Sequence, residues 1–220
     1  YINGVCSMTG KIKLVHSGGN SVSVAVPTNA PSASEVEFKL PQADGSSGQA
    51  LVTDASGNLS FAGTGKILQV VSTTKTDVFS ESLAFNTLSA DAMSLSITPS
   101  SASNKILISI NSFIGCSSTV RLNATIYKAG SVLTGSIGDA DGSKNRTSFQ
   151  ASNANTARGN TAGGTYLDTA GSTSAITYSI RLSHGGNSTQ TIYLNRVHSE
   201  ADSGAYFRNA STITLTEVAA

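Results

Sequence analysis

Alternation of apolar and polar residues limits this chain more than any other feature of its sequence. Val120, Leu122, Ala124 and Ile126 alternate with Arg121, Asn123, Thr125 and Tyr127. Ile176, Tyr178, Ile180 and Leu182 alternate with Thr177, Ser179, Arg181 and Ser183. Side chains two apart share one face of a strand, so these runs predict strands with one buried face. Met93, Leu95 and Ile97 repeat the pattern, and Pro99 stops it. Ile106, Leu107, Ile108 and Ile110 form a further run, followed by Ile192 and Leu194 and then by Ile213 and Leu215. The stretch 81–93 is read as extended. Gly-rich corners at 128–130, 184–187 and 202–204 separate the runs. Many short strands with turn residues between them indicate an all-β sandwich or jelly roll.

Composition supports the same class. Ser, Thr, Gly and Asn fill 96 of 220 positions, while charged residues make up 12%. Such a chain lacks the Leu-, Ala-, Glu- and Lys-rich runs that sustain long helices. The formal net charge of +1 gives no basic footprint for nucleic acid and no membrane-surface patch. No apolar run approaches the roughly 18 residues of a spanning helix, and no uninterrupted apolar run at the N-terminus reads as a signal peptide. Near-neutral chains lack charge repulsion and tend to associate, which suits a protein that lives in an assembly.

Two regions are expected. Residues 1–65 hold short β pieces: Val22, Val24 and Val26 are spaced by two, as are Val36, Phe38 and Leu40. A hairpin is predicted where Leu51-Val52 and Leu59-Phe61 flank a Gly57-Asn58 corner. Gly63-Thr64-Gly65 marks the boundary, and 66–220 forms the larger region. Within it, 136–173 is poor in large apolar residues and reads as long exposed loops around short strands near 147–151 and 165–168. Two-strand pieces are marginal alone in water, so the first region needs partners to bury its stripes.

No catalytic or metal constellation stands out. His16, His184 and His198 lack metal-ligand spacing, and His184 is expected in a turn before Gly185-Gly186. Asp139-Ala140-Asp141-Gly142 is read as an Asp-Gly turn, because Gln150 stands where a calcium loop needs an acid. Asp139, Asp141, Asp168, Glu200 and Asp202 are the acids on which a glycan-cleaving reading would have to draw. Cys116 ends an apolar run and is read as a small buried hydrophobe, with pairing to Cys6 the lesser alternative. No cofactor is expected.

The string from Leu40-Pro41-Gln42-Ala43-Asp44-Gly45 through Gly48-Gln49-Ala50-Leu51-Val52-Thr53-Asp54 to Gly57-Asn58-Leu59-Ser60-Phe61 resembles a module of bacteriophage tail fibres and related virion appendages. That module has the form LP-x-x-DG-x-x-GQ-x-L-x-T-(D/N)-x-x-G-x-L-x-(F/W). The rest of the chain resembles the β-rich domain that often follows it. The matching features are Lys66-Ile67-Leu68-Gln69-Val70-Val71, the passage from Ile97-Thr98-Pro99-Ser100 to Lys105-Ile106-Leu107-Ile108, Tyr193-Leu194-Asn195-Arg196, and the ending Ser211-Thr212-Ile213-Thr214-Leu215-Thr216-Glu217-Val218.

The resemblance implies a homotrimeric, non-enzymatic appendage on the outer surface of a virion. A short intertwined β-stem would precede a jelly-roll-like β-sandwich head used in host attachment. Its partners would be two further copies, tail or capsid proteins, and a host surface glycan or protein. The stripes Val22, Val24, Val26 and Val36, Phe38, Leu40 would pack in the stem; alone they suit two copies as well as three. Arg158, Tyr166, Tyr206, Phe207 and Arg208 are the receptor-binding candidates, because aromatic faces stack on sugar rings and Arg forks toward carboxylates or phosphates. Packing or a trimer contact is the alternative for Tyr206-Phe207. The alternative functions are a capsid-surface decoration fibre, a secreted adhesin and a polysaccharide depolymerase.

Overall fold

A computed structural model describes residues 11–15, 17–25, 29, 36–46, 49–54, 56–63, 65–152 and 156–220. The chain divides into two compact units, 1–64 and 65–220.

The first unit holds two hairpins. β1 (Lys11–Val15) pairs antiparallel with β2 (Ser21–Ala25), and β3 (Gln49–Thr53) pairs antiparallel with β4 (Leu59–Gly63). The second is the hairpin expected around Gly57-Asn58. Asp54 builds its corner: one carboxylate oxygen accepts the Ser56 and Asn58 N–H groups at 2.8 and 3.1 Å, and the other accepts the Asn58 amide at 2.6 Å. Gly57 has φ +84, and a Cβ there would run into the Glu37 carbonyl.

The strand expected over Val36, Phe38 and Leu40 does not form. Lys39 makes a single bridge to Asn58, with Lys39 N–H donating to Gly57 O and Leu59 N–H to Lys39 O, both at 2.8 Å. Among the described residues this segment has no further partner strand, and Val36, Phe38 and Leu40 are 55%, 64% and 78% exposed. Val26, His16, Cys6 and the side chains of Val22 and Val24 lie outside the described residues. No described side chain between 17 and 63 is fully buried.

The second unit is a sandwich of two antiparallel sheets. One sheet contains β5 (Ile67–Lys75), β6 (Phe79–Leu83), β8 (Lys105–Cys116), β12 (Asn160–Thr169), β14 (Gln190–Leu194) and β15 (Ser211–Val218). The twelve-residue β8 is its spine. β12 runs along one edge, while β15 and β14 share the other end to end; β5 lies outside β15 and β6 outside β14. The other sheet has the order β7 (Asp91–Ile97), β13 (Ile176–His184) and β9 (Arg121–Lys128), with β10 (Ser131–Val132) and β11 (Phe149–Ser152) both against β9. The stretch 81–93, read as extended, is two strands joined by a turn at Asn86, whose φ is +59.

Alternation places the core between the sheets. Ile106, Ile108 and Ile110 of β8 meet Leu122, Ala124 and Ile126 of β9, Tyr178, Ile180 and Leu182 of β13, and Ile213 and Leu215 of β15 in one buried cluster. Each such side chain contributes roughly 1.5–3 kcal/mol by leaving water. Cys116 is buried at the end of β8, as a small hydrophobe would be. Tyr127 and Tyr178 are packing residues. Tyr178 donates to Asp168 at 2.7 Å, and Lys128 closes on the same carboxylate at 2.6 Å. Burial, with Asp168 beside it, pushes the Tyr178 phenol above its ordinary value.

Two expectations are corrected here. The short strand near 165–168 is a ten-residue strand, β12, paired to β8 along its whole length. Its centre is Gly163-Gly164: a Cβ at the first would strike the Ile110 carbonyl, and at the second the Phe149 ring. The close approach demands glycine and so removes the apolar alternation that announces a strand. His184 is not in a turn but is the last residue of β13, fully buried. Its Nδ1 accepts the Gly186 N–H at 3.2 Å, so Nε2 carries the proton and donates to Leu83 O at 2.9 Å.

Candidate functional site

Strand register decides which loops meet. Ile114 lies opposite Asn160 and Leu194, Arg121 opposite Ser152, and Leu122 opposite His184. Only residues 117–120 join β8 to β9. The segments after β6, β8, β11 and β13 therefore gather at one end of the sandwich, and the segment after β14 joins them through Thr156 O. The chain enters this unit at the other end, where Ile67 lies opposite Val218 and Lys66 O accepts the Ala219 N–H at 2.7 Å.

At the loop end, 156–159 and 195–209 frame a pocket of about 610 Å³ with Phe113 on its floor. Asn195 sets the path of the longer segment. It holds φ +68 just after β14 and is fully buried. Its amide donates to Lys75 O and Asp77 O at 2.7 and 2.9 Å, and its carbonyl oxygen accepts Ser211 Oγ–H at 2.5 Å. Asn tolerates the left-handed region that other side chains resist. Asn195→Ala removes these three bonds and strains the turn. It is expected to cost about 2–4 kcal/mol, read as a lower melting midpoint by calorimetry.

Beyond Asn195 the segment is pinned to its neighbour. Thr156 O accepts the N–H groups of His198 and Ser199 at 3.1 and 3.0 Å. The Tyr193 and His198 rings stack at 5.8 Å with the hydroxyl on Nδ1 at 2.8 Å, and the Arg196 guanidinium lies 4.6 Å over the Tyr193 ring. Glu200 takes Arg196 at 3.3 Å and Arg208 at 2.5 Å.

Of the receptor-binding candidates, Arg158, Tyr206 and Phe207 line this pocket together, and Arg208 stands at its rim beside Tyr206 and Phe207. Phe207 is 71% exposed. Arg158 is exposed, with no ionic or hydrogen-bond partner among the described residues. Arg208 is tied to Glu200, which it shares with Arg196. Tyr166 is not part of the site. It sits mid-strand on β12, half-buried against the core, with its hydroxyl end over Gly135. Asn209 and Val197, which were not among the candidates, also line the pocket.

The acids fall in three places: Asp139 with Asp141 on one groove, Glu200 with Asp202 beside Tyr206, and Asp168 on β12. Asp168 is bound to Lys128 and Tyr178, Glu200 to two arginines, and Asp141 to Lys144. Among the described residues no group of three or more His, Cys, Asp or Glu could hold a metal ion. No helix among them is long and apolar enough to cross a membrane.

No protein-family model matches this chain, and no curated protein does. Among solved structures, the chain is similar to one described as the structure of infectious bursal disease virus Gx strain, at 16% identity and a TM-score of 0.35, covering 78% of this chain and 41% of that one. It is similar also to the structure of infectious bursal disease virus Gt strain, at 14% identity and a TM-score of 0.35, covering 91% of this chain and 48% of that one. This chain thus spans less than half the length of either. Superpositions this loose do not establish a shared topology, and no feature of those virions carries over to it.

Proposed function

We propose that this chain is a non-enzymatic structural component of a virion, a homotrimeric fibre or spike of the bacteriophage type. In this reading residues 1–64 form a three-chain stem, and the sandwich of 65–220 turns its loop end toward the host surface. The observation that carries the reading is the exposure of apolar side chains among the described residues of the first unit. No described residue there is fully buried, and Val36, Phe38, Leu40, Leu51, Val52 and Phe61 are all exposed. Apolar side chains of that number on so small a unit call for partner chains, and copies of the same chain supply matching stripes.

Three features of the second unit agree with an attachment head. The sheet orders β5-β15-β8-β12 and β7-β13-β9-β11 agree with a jelly roll of eight strands to which β6, β10 and β14 are added. The aromatic pocket lies at the end away from chain entry. An exposed phenyl ring, a phenol and an unmatched guanidinium suit stacking on a sugar with a fork to its acidic group. Weak contacts on three heads would add through effective concentration.

Sedimentation equilibrium of the whole chain tests the assembly. The expected mass is three times the 22.4 kDa of one chain. A well-behaved monomer at micromolar concentration would overturn the proposal.

A further inference from the structure

A second concavity at the loop end has a chemistry of its own. It holds about 880 Å³ between the turn after β6, the start of β9, residues 138–147 and the loop after β13. Unlike the Phe113 pocket, it is walled mainly by charges and amides. Phe85 is the exception: its ring lines the groove and is 50% exposed.

Several polar groups there are unused. Arg121, Asp139 and Asn187 line the groove, are exposed, and have no side-chain partner among the described residues. Arg146 donates through Nε to Gly138 O at 2.5 Å but meets no described carboxylate. Lys144 is matched by Asp141. The unmatched groups are therefore two guanidiniums and one carboxylate, which leaves the groove open to an anion.

The scaffold beneath these groups is fixed. Asn86 stands beside Phe85 with φ +59, its N–H donating to His184 O at 3.3 Å and its side-chain oxygen accepting the Asn145 amide. Gly185 N–H donates to Arg121 O at 2.9 Å, which ties the loop after β13 to the start of β9. Asn tolerates this left-handed conformation, and the bonds on both sides hold the loop wall in place.

We infer that this groove is a binding site for an acidic oligosaccharide, a hydroxyl-rich chain carrying carboxylates. A sugar ring stacks its C–H face on Phe85, Asp139 and Asn187 take hydroxyls, and a uronate carboxylate lies in the fork of Arg121 with Arg146 beside it. A neutral sugar would leave both guanidiniums unmatched. The site does not depend on the fibre reading, since it needs only groups within 65–220, and it is separate from the Phe113 pocket.

The test is calorimetric titration of the whole protein with a galacturonic acid trisaccharide and, as the neutral control, maltotriose. The acidic probe is expected to bind and the neutral one to bind at least about tenfold more weakly. Arg121→Gln and Phe85→Ala are each expected to weaken the acidic probe about tenfold or more, with the melting midpoint unchanged because both side chains are exposed. Phe207→Ala, in the other pocket, should leave its affinity unaltered, which separates this site from that one. Should either groove variant unfold, Asn187→Ala, on an exposed loop, gives the same reading with a smaller loss. Failure of the acidic probe to bind, equal affinity for maltotriose, or a loss caused by Phe207→Ala but not by Arg121→Gln would overturn the assignment.

Discussion

Glu217→Gln is expected to lower the melting midpoint of the 65–220 unit by about 6–12 °C and to remove most of its sensitivity to acid below pH 4.5. Glu217 is fully buried on β15. Its carboxylate accepts Asn104 Nδ2 and Gln69 Nε2 at 2.6 Å, Ser100 N–H at 2.7 Å and Ser100 Oγ–H at 2.8 Å. Gln69 also donates to Thr98 O at 2.7 Å, and Asn104 Oδ1 accepts the Ala220 N–H at 3.3 Å. One carboxylate thus joins β5, the β7–β8 connection and the end of the chain. A glutamine matches its shape but turns a donor toward donors, and orphaning them costs about 3 kcal/mol.

The pH dependence has the opposite sign to a histidine's. Burial pushes the carboxyl up, but the donors from Asn104, Gln69 and Ser100 together outweigh it and hold it at about 2, against 4.5 for the group in an unfolded chain. Its stabilisation is fully present above pH 4.5 and is lost as pH falls from there toward 2. The amount is about 3 kcal/mol, since each unit of difference is worth about 1.4. Calorimetry of the wild type and Glu217→Gln at pH 7 and pH 3 checks both statements. A midpoint within 2 °C of wild type, or an undiminished acid slope in the variant, would show that the network does not hold this end of the sandwich.

Glu217 also shows what alternation can and cannot convey. It falls in phase with Ile213 and Leu215, so period two already puts it on the inward face. Its donors, however, lie 113, 117 and 148 residues away in sequence, and no local pattern brings them together. His184 is parallel: it continues the phase of Tyr178, Ile180 and Leu182, but the Gly185-Gly186 that follows argues for a turn. The ladder extends to His184 because its ring meets both the Leu83 carbonyl and the Gly186 N–H. The long β8, β9, β13 and β15 were legible because apolar alternation and burial coincide in them. β12 was not, since close packing called for Gly163-Gly164 where a strand pattern wants larger side chains. At the pocket, Arg158 and Tyr206-Phe207 could be named as residue types. Their meeting depends on the turn at Asn195 and on Thr156 O, which only the fold supplies, and Tyr166 was separated from them by its place in the middle of a sheet.

The largest effect on assembly is expected from Phe38→Asp combined with Leu40→Asp. Both side chains are among the most exposed apolar groups of the chain and follow Val36 at intervals of two. In a three-copy stem they would be withdrawn from water six times over, worth roughly 10 kcal/mol per assembly, and the inserted carboxylates would face one another across the axis, where burial and like charge both oppose them. If the proposed trimer forms, the double variant should sediment as a single chain at concentrations where the wild type would sediment as three. The 65–220 unit, whose core contains neither residue, should melt at an unchanged temperature. That second measurement matters, because a general loss of folding would also lower the mass. An unaltered trimer in the variant would place the subunit contact elsewhere. If the wild type were itself a monomer, these side chains would be simple surface groups, and the exposed stripe would have no structural use in the assembly.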